Sequence, residues 1–558
     1  MPVLTGVDIQ GVQRYVFASN RLRDVFCASF MVDHVTSPKT LSQWSYSKPA
    51  EVLLGAGGNA VLLFESEPEA KRWTGYYSRF LLDEAPELTA VVAHLRYEAG
   101  SLAQALQDLQ EKLARAKLER SPHALQLGLS VTASCSVTGQ PATALDMGAL
   151  VGRQVQRLRA RRSEATQRWA RYLAEPTTSD GLKVAFPSDH DQLGRTADDT
   201  SLLGVVHVDG NAVGQAIKDW LKGCIENELD DGTVRAQYAA WSKDIVTLGD
   251  HILRTLVARV QSRVVERADH PGRWLLQGTP EELSFELNSD GDALYLPIRP
   301  ILLGGDDLTF VCDGRIAMDL ATVAVETFGL PDCKVRHLGP NGAATSLSAC
   351  AGVALVHTHA PFYRSYELAA QLCESAKKKR TATKSNNSWV DWHIGTVRPS
   401  EPLERLRARQ YQAPTSEALT MRPYPIPAQR RTQSWTWLQN DLLAGLRGDS
   451  MWKGSRSRVK RLLSLVDQGP AHVQRQLNAW RASSDRAAPP AAEVPAETAS
   501  AMPPSDAPHP LALPGGLPDT GFIGEATPLR DAIELLDLHL QLDAPPEAPP
   551  MSTPETEG

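Results

Sequence analysis

The sequence predicts an α+β fold in which one ferredoxin-like unit occurs twice, followed by a helical C-terminal region. Three observations carry this reading. Strand and helix patterns alternate in a βαββαβ-like order over residues 3–135, the same order returns from residue 203, and each copy holds two short apolar strands joined by a glycine-rich turn. Such an order places helices against an antiparallel sheet.

In the first copy, residues 3–9 read as a strand and 11–35 as one long helix. Residues 51–54 and 59–64 are short apolar strands around the turn Gly55-Ala56-Gly57-Gly58. A helix from 67, a strand at 88–97, a helix at 102–118 and a strand at 127–135 complete the unit. In the second copy, 203–208 is a buried strand and 212–221 and 238–266 are helical. Strands 294–303 and 308–312 flank Gly304-Gly305-Asp306-Asp307. A helix at 316–328, a strand at 347–357, a helix at 363–379 and a strand near 389–393 follow. Residues 402–483 read as helical. Residues 484–520, rich in Pro, Ala and Ser without apolar period, read as a flexible linker. Thr527-Pro528 starts a short helix whose Leu529, Ile533, Leu536 and Leu540 form a docking stripe, and a Pro-rich tail begins at 544.

A chain of 558 residues holds several cores, and a net charge of −7 on 58 basic and 65 acidic residues favours no polyanion over the whole surface. Seven scattered cysteines form no CxxC pair and indicate neither a zinc site nor a disulfide framework. No basic-then-apolar leader or membrane-length apolar run occurs, so a cytoplasmic location without membrane association is expected.

The GGDD turn concentrates the chemistry. Aspartate is depleted from strands and adjacent carboxylates repel, so Asp306 and Asp307 call for a compensating cation. Mg2+ or Mn2+, hard cations that share carboxylates with substrate phosphates, suit them. Gly304 and Gly305 allow a tight turn and a close phosphate approach. The strand ending Val208-Asp209-Gly210-Asn211 lies beside that hairpin in a βαββ unit and brings Asp209 to it. Three carboxylates can hold two ions for transfer to a 3′-hydroxyl, with Gly210, Asn211 and Gly214 at the start of the following helix as nucleotide contacts whose amides face the phosphates. Lys377 and Lys378, near a helix end, can reach β- and γ-phosphates. His207 reads as a satisfied strand residue and His190-Asp191 as a loop pair. The arginines at 153, 157, 159, 161, 162, 168 and 171 read as a solvated helical face, with an RNA-facing surface as the alternative. The same holds for Lys453, Arg456, Arg458, Lys460 and Arg461 beside Trp452.

The opening GVDIQGVQRYVF (6–17), with Arg21-Leu22-Arg23-Asp24 and Ala28-Ser29, resembles the start of the first palm of the large polymerase-like subunit of type III CRISPR effector complexes. AGGNAVLLF (56–64), VDGNAVG (208–214), LLGGDDLTFV (302–311) and the stretch from Ser348 to Lys378 are similar to the same family. So is the terminal TPLRDAIELLDL (527–538). The resemblance covers both palms, 1–400, and the last helix. It implies a second palm that turns ATP into a cyclic oligoadenylate messenger, with Asp209, Asp306 and Asp307 as metal carboxylates and Lys377 as a phosphate contact. It also implies a degenerate first palm whose Gly57 and Gly58 help form the nucleotide pocket, and RNA and other CRISPR effector subunits as partners. The first strand starts at residue 3, which leaves no room before it for the HD nuclease of many relatives. Residues 173–200 hold no cysteine for their zinc module, and Asn211 stands where many have Asp. A reduced member is therefore expected. Its parts are a degenerate palm with trailing helix at 1–172, a linker at 173–200, a catalytic palm at 201–400 and a helical domain at 401–483. A disordered linker at 484–520, a docking helix at 521–543 and a disordered tail at 544–558 complete it. The alternatives are a cyclase making a cyclic dinucleotide or using GTP, and a non-catalytic RNA-binding scaffold.

Overall fold

The structure is a computed structural model. It describes residues 1–119, 131–146, 148–174, 177–178, 181–194, 202–331, 333–336, 344–395, 401–427, 431–448, 452, 455–487 and 511–542. The fold is α+β.

In the first unit, β1 (Val3–Gln10) is buried on both faces along most of its length, which makes it a central strand. It pairs antiparallel with β3 (Asn59–Phe64) and β4 (Thr89–Arg96), while β2 (Glu51–Ala56) covers the outer edge of β3, giving the order β2-β3-β1-β4. Val3 and Val7 pack towards α2 (Leu22–Thr36) and α3 (Glu67–Glu84), and Leu4 packs towards α4 (Leu102–Glu119). The single helix expected over 11–35 is interrupted. After α1 (Val12–Val16), the Ser19 hydroxyl accepts from the Arg21 N–H and donates to Asp24, a local network that restarts the chain as α2. Of the strand expected at 127–135, residues 127–130 lie outside the described residues, and 131–135 make only an isolated bridge, Ser134 to Pro141.

After α5 (Arg153–Ala160) and α6 (Arg162–Ala170), the second unit repeats that order. The strands β5 (Leu202–Gly210), β6 (Ile298–Leu303), β7 (Asp307–Asp313) and β8 (Ala349–His357) run β6-β7-β5-β8, and β9 (Ser388–Ile394) adds parallel to β8. The expected strand 294–303 is split at Pro297: Ala293–Tyr295 pairs with Lys183–Ala185, and only β6 joins the main sheet. Within the region read as a helical domain, Tyr424–Ile426 forms the last edge strand, with Pro425 at an edge where its missing N–H costs little.

Val206, Val208 and Phe310 face α8 (Asp231–Gln261) and α9 (Ala317–Phe328). On the other face, Val205 and Val311 join a core shared by α10 (Phe362–Ala382) and the first unit's α2. Between β5 and α8 lies α7 (Val213–Glu226).

The helix Pro470–Ala487 runs past residue 483, and the expected linker residues 488–510 lie outside the described residues, as does the tail from 544. Residues 511–520 are packed rather than free. Leu511, Leu513 and Leu517 are buried, and the Trp452 and Trp437 indole N–H groups donate to Ala512 and Gly515 carbonyls, each at 3.0 Å. Three leucines without helical period left no pattern to read there. Leu529, Ile533, Leu536 and Leu540 are buried, and Asp531 in this segment pairs with buried Arg422. No helix among the described residues is long and apolar enough to cross a membrane.

Candidate active site

The sheet register sets the site. Asp209, at the end of β5, lies directly opposite Asp307, at the start of β7, and two residues further in His207 lies opposite Thr309. Side chains alternate along strands, so these four share one face. His207 Nδ1 lies 3.1 Å from Thr309 Oγ1 and 3.4 Å from Asp307 Oδ1, and the Tyr366 ring of α10 meets its imidazole edge-on at 5.6 Å. From the same helix the Lys377 ammonium donates to Asp209 Oδ2.

Asp306 turns the other way. Its carbonyl accepts from the Gly210 N–H at 3.0 Å, and its side chain lies so close over Gly210 that a Cβ there would come 2.9 Å from the Asp306 Cβ. Glycine at 210 is thus what lets the hairpin tip lie on β5. Gly305 adopts a φ of 92°, and a Cβ on it would strike Ile245 at 2.5 Å, so the turn needs glycine on both counts.

The two hairpin turns face each other: a Cβ on Gly57 would lie 3.5 Å from Gly304 Cα. On one side of this contact is a cavity of about 500 Å³ lined by Asp306, Gly57, Gly214, Trp241 and, from the first unit, Asp8 and Lys117. On the other is one of about 150 Å³ lined by Asp307, Gly57, Gly304 and Tyr366. The N-terminus of α7 opens on the larger cavity through Val213 and Gly214. Its N-cap, Ala212, has a left-handed φ of 62° and no side chain to cap the helix amides, which suits an anion.

Charge is unbalanced here. Burial, then repulsion from Asp209 and Asp307, pushes the Asp306 carboxyl up to about 7. Asp307 is also raised, by burial first, with His207 pulling it down and Asp209 pushing it up; 45% of its side chain is open to the cleft, but its Oδ1 is buried without a hydrogen-bond partner. Burial alone would lower Lys377, but pairing with Asp209 outweighs it and holds the ammonium above its usual range.

Among the described residues, no three His, Cys, Asp or Glu side chains stand arranged to hold a metal ion. The donor chemistry nevertheless fits a divalent cation. A buried carboxylate oxygen of Asp307 lacks a hydrogen bond, the Asp306 and Asp307 carboxyls are raised, and a lysine ammonium sits on the third carboxylate, Asp209.

Asp209, Asp306, Asp307, Gly210, Gly214, Gly304, Gly305, Gly57 and Lys377 therefore come together. Gly58 lies behind the turn, its N–H donating to Thr36 Oγ1 and its carbonyl accepting from Ile9. Two further expected nucleotide contacts also stay outside the site. The Asn211 side chain is 7% exposed; its amide donates to Ser348 Oγ at 3.0 Å and its oxygen accepts from the Cys350 thiol at 3.2 Å, so it braces β8. Lys378, one helical step from Lys377, points to Glu404 at 3.7 Å. The arginine face is also largely spent internally. Arg153 pairs with Asp83, Arg157 with Glu84, Arg159 with Asp24 and Asp146, Arg161 with Glu84 and Glu164, Arg168 with Asp33, and Arg171 with Asp250. Of the second basic group, Lys453 lies outside the described residues, while Arg456 and Lys460 pair with Asp537.

One pair escaped the sequence reading. In the first unit Asp8 lies opposite Asn59, as Asp209 lies opposite Asp307, and the Lys117 ammonium meets Asp8 Oδ2 at 2.6 Å. Lys117 and Lys377 each stand 15 residues past the first residue of the helix that follows the unit's fourth strand. Aligning the two helices, rather than only the two hairpins, would have found it.

No family model matches the chain, and no curated protein does. Among solved structures it is similar to "Csm1-Csm4 cassette in complex with cA4" at 15% identity, covering 74% of this chain and 58% of that one with a TM-score of 0.41. It is similar to the same cassette "in complex with one ATP" at 15% identity, 72% and 55% coverage and a TM-score of 0.41. The match to "Csm1 in T.onnurineus" has 14% identity, 84% and 61% coverage and a TM-score of 0.42. The chain thus spans 55–61% of the length of these solved chains. Likeness at this distance carries no assignment of activity.

Proposed function

We propose that this chain is a metal-dependent nucleotidyltransferase that joins and cyclises ATP into a cyclic oligoadenylate, as a reduced large polymerase-like subunit of a type III CRISPR effector. Residues 201–400 form the catalytic unit and 1–172 its degenerate partner in this reading. One observation carries it: the register that pairs Asp209 with Asp307 beside Asp306, at a cleft walled by both units. The motifs resembling the palm family supply the substrate, ATP.

Asp209, Asp306 and Asp307 would hold Mg2+ or Mn2+, which when bound lowers the pKa of the attacking 3′-hydroxyl and neutralises charge on the triphosphate. The uncapped amides of α7 and the Lys377 ammonium hold phosphate oxygens. The opposed hairpins keep two nucleotides in register and limit water. Internal pairing of the arginine face argues against the RNA-binding scaffold.

Purified protein is incubated with each labelled nucleoside triphosphate and Mn2+, and the products are resolved. Cyclic oligoadenylate from ATP alone is expected, with Asp306→Ala plus Asp307→Ala lowering the rate at least about 100-fold while the fold persists. A cyclic dinucleotide, or use of GTP, supports the other cyclase reading. No product and no nucleotide binding sinks both.

A further inference from the structure

We propose that Lys377 is an exchangeable counter-ion of the site, occupying Asp209 until a nucleotide's phosphates draw it away, so that nucleotide must arrive before Asp209 can take a divalent cation. This rests on the reading of Asp209, Asp306 and Asp307 as the metal carboxylates and adds the order in which the site is filled.

The contact is specific. Lys377 reaches across from α10 to Asp209 Oδ2, and no other cation is paired with Asp209 among the described residues. With the lysine in place, Asp209 is neutralised and His207 faces Asp307. A divalent ion on Asp209 would sit within a few ångströms of an ammonium on the same carboxylate, and like charges at that range repel strongly in a half-buried cleft. One cation must leave. The lysine can, because its side chain is still 26% exposed and its flexible four-carbon stem ends in a mobile point charge. A polyphosphate at the open end of α7 gives that charge a new partner.

The first unit provides an internal control. Asp8 is paired with Lys117 in the matching place, but its second oxygen accepts from the Gln10 amide at 3.0 Å, and the residue opposite is uncharged Asn59. With no carboxylate in its own hairpin, Asp8 lacks the paired acidic residue that Asp209 has in Asp307. Lys117 covers a carboxylate that faces an uncharged residue, whereas Lys377 covers one that has two acidic neighbours.

Mn2+ binding is measured on the full chain by electron paramagnetic resonance, with and without the β,γ-imido analogue of ATP. Wild type is expected to bind Mn2+ weakly alone and at least about tenfold more tightly with the analogue, and reciprocally to bind the analogue more tightly with Mn2+. Nucleotide alone could produce that much by bridging the metal, so the deciding variant is Lys377→Met. It is expected to bind Mn2+ without nucleotide about tenfold more tightly than wild type and to show a smaller nucleotide effect. Lys377→Arg, which keeps the cation, should retain the wild-type values, and Lys117→Met should not alter Mn2+ binding. If Lys377→Met does not fold, Lys377→Gln serves in its place. Unchanged or weaker nucleotide-free Mn2+ binding in the variant, while wild type still binds Mn2+ with the analogue, overturns the exchange and leaves the enzyme reading intact. An equal gain from Lys117→Met also overturns it. Absence of Mn2+ and analogue binding in every protein removes the enzyme reading, and the exchange with it.

Discussion

Asp306 has an ordinary carboxyl near 3.8 that the folded site raises to about 7, through burial and then the charges of Asp209 and Asp307. Between those two values the folded chain holds a proton that the unfolded chain has released, so stability from this residue falls as pH climbs through the window and is flat above it. Asp306→Asn removes the penalty. Without divalent ions the variant should be more stable than wild type at pH 8 by ~1–3 kcal/mol, with the difference vanishing towards pH 4, as read by urea unfolding across that range. Equal or lower stability at pH 8 would show that the charge is not confined as the geometry implies. Asp306, Asp307 and Asp209 were legible because carboxylates at the ends of apolar strands run against strand propensity and demand a cause. Asn211 and Lys378 were not. Whether an amide turns into the sheet, or which lysine of a basic run faces β5, depends on partners 137 and 26 residues away along the chain, Ser348 and Glu404.

Between β8 and α10 the packing is closer than a side chain allows. A Cβ on Gly352 would fall 2.0 Å from the Ala369 carbonyl oxygen and 2.4 Å from the Cys373 nitrogen, both helix backbone atoms that cannot step aside individually. Gly352→Ala must push α10 off the sheet, at about 1–3 kcal/mol or more. Cys373 lies one turn before Lys377, so the displacement reaches the Asp209 contact, and nucleotide affinity should fall together with stability. Gly75→Ala, in exposed mid-helix with nothing within 4 Å, is the counterpart and should gain about 0.5–1 kcal/mol by thermal melting. A Gly352→Ala variant of wild-type stability would mean that α10 is not held this tightly. At this scale the duplicated strand order could be read from near-continuous apolar runs. The break after α1 and the Tyr424–Ile426 edge strand could not, since one depends on the Ser19 and Asp24 side chains and the other on three residues around a proline.

How the two units meet was beyond sequence patterns, because either face of a strand buried on both sides could have received the neighbour. The structure joins α2 to β6: the Ser29 hydroxyl donates to the Ile301 carbonyl, and Phe26 packs under Arg299. Arg299 is the weak point of that junction. It is 1% exposed, its guanidinium carbon lies 3.7 Å from the centre of the Phe26 ring, and its Nε and Nη2 have no hydrogen-bond partner among the described residues. Burial pushes the guanidinium down to about 9, with the nearby Cys27 opposing that and Arg162 adding to it. The contact with Phe26 offsets only part of the desolvation. A buried charge without a carboxylate is one that an apolar side chain of similar length can replace at a gain. Arg299→Met should therefore raise the unfolding free energy by ~1–4 kcal/mol near neutral pH, measured by denaturant. The sign of the pH dependence separates this from generic repacking. A base with a lowered folded pKa costs the wild type stability at neutral pH, and that cost is relieved as pH rises past about 9, so the two proteins should converge in alkali. If Arg299→Met is instead less stable at every pH, the guanidinium is bridging the units rather than straining them.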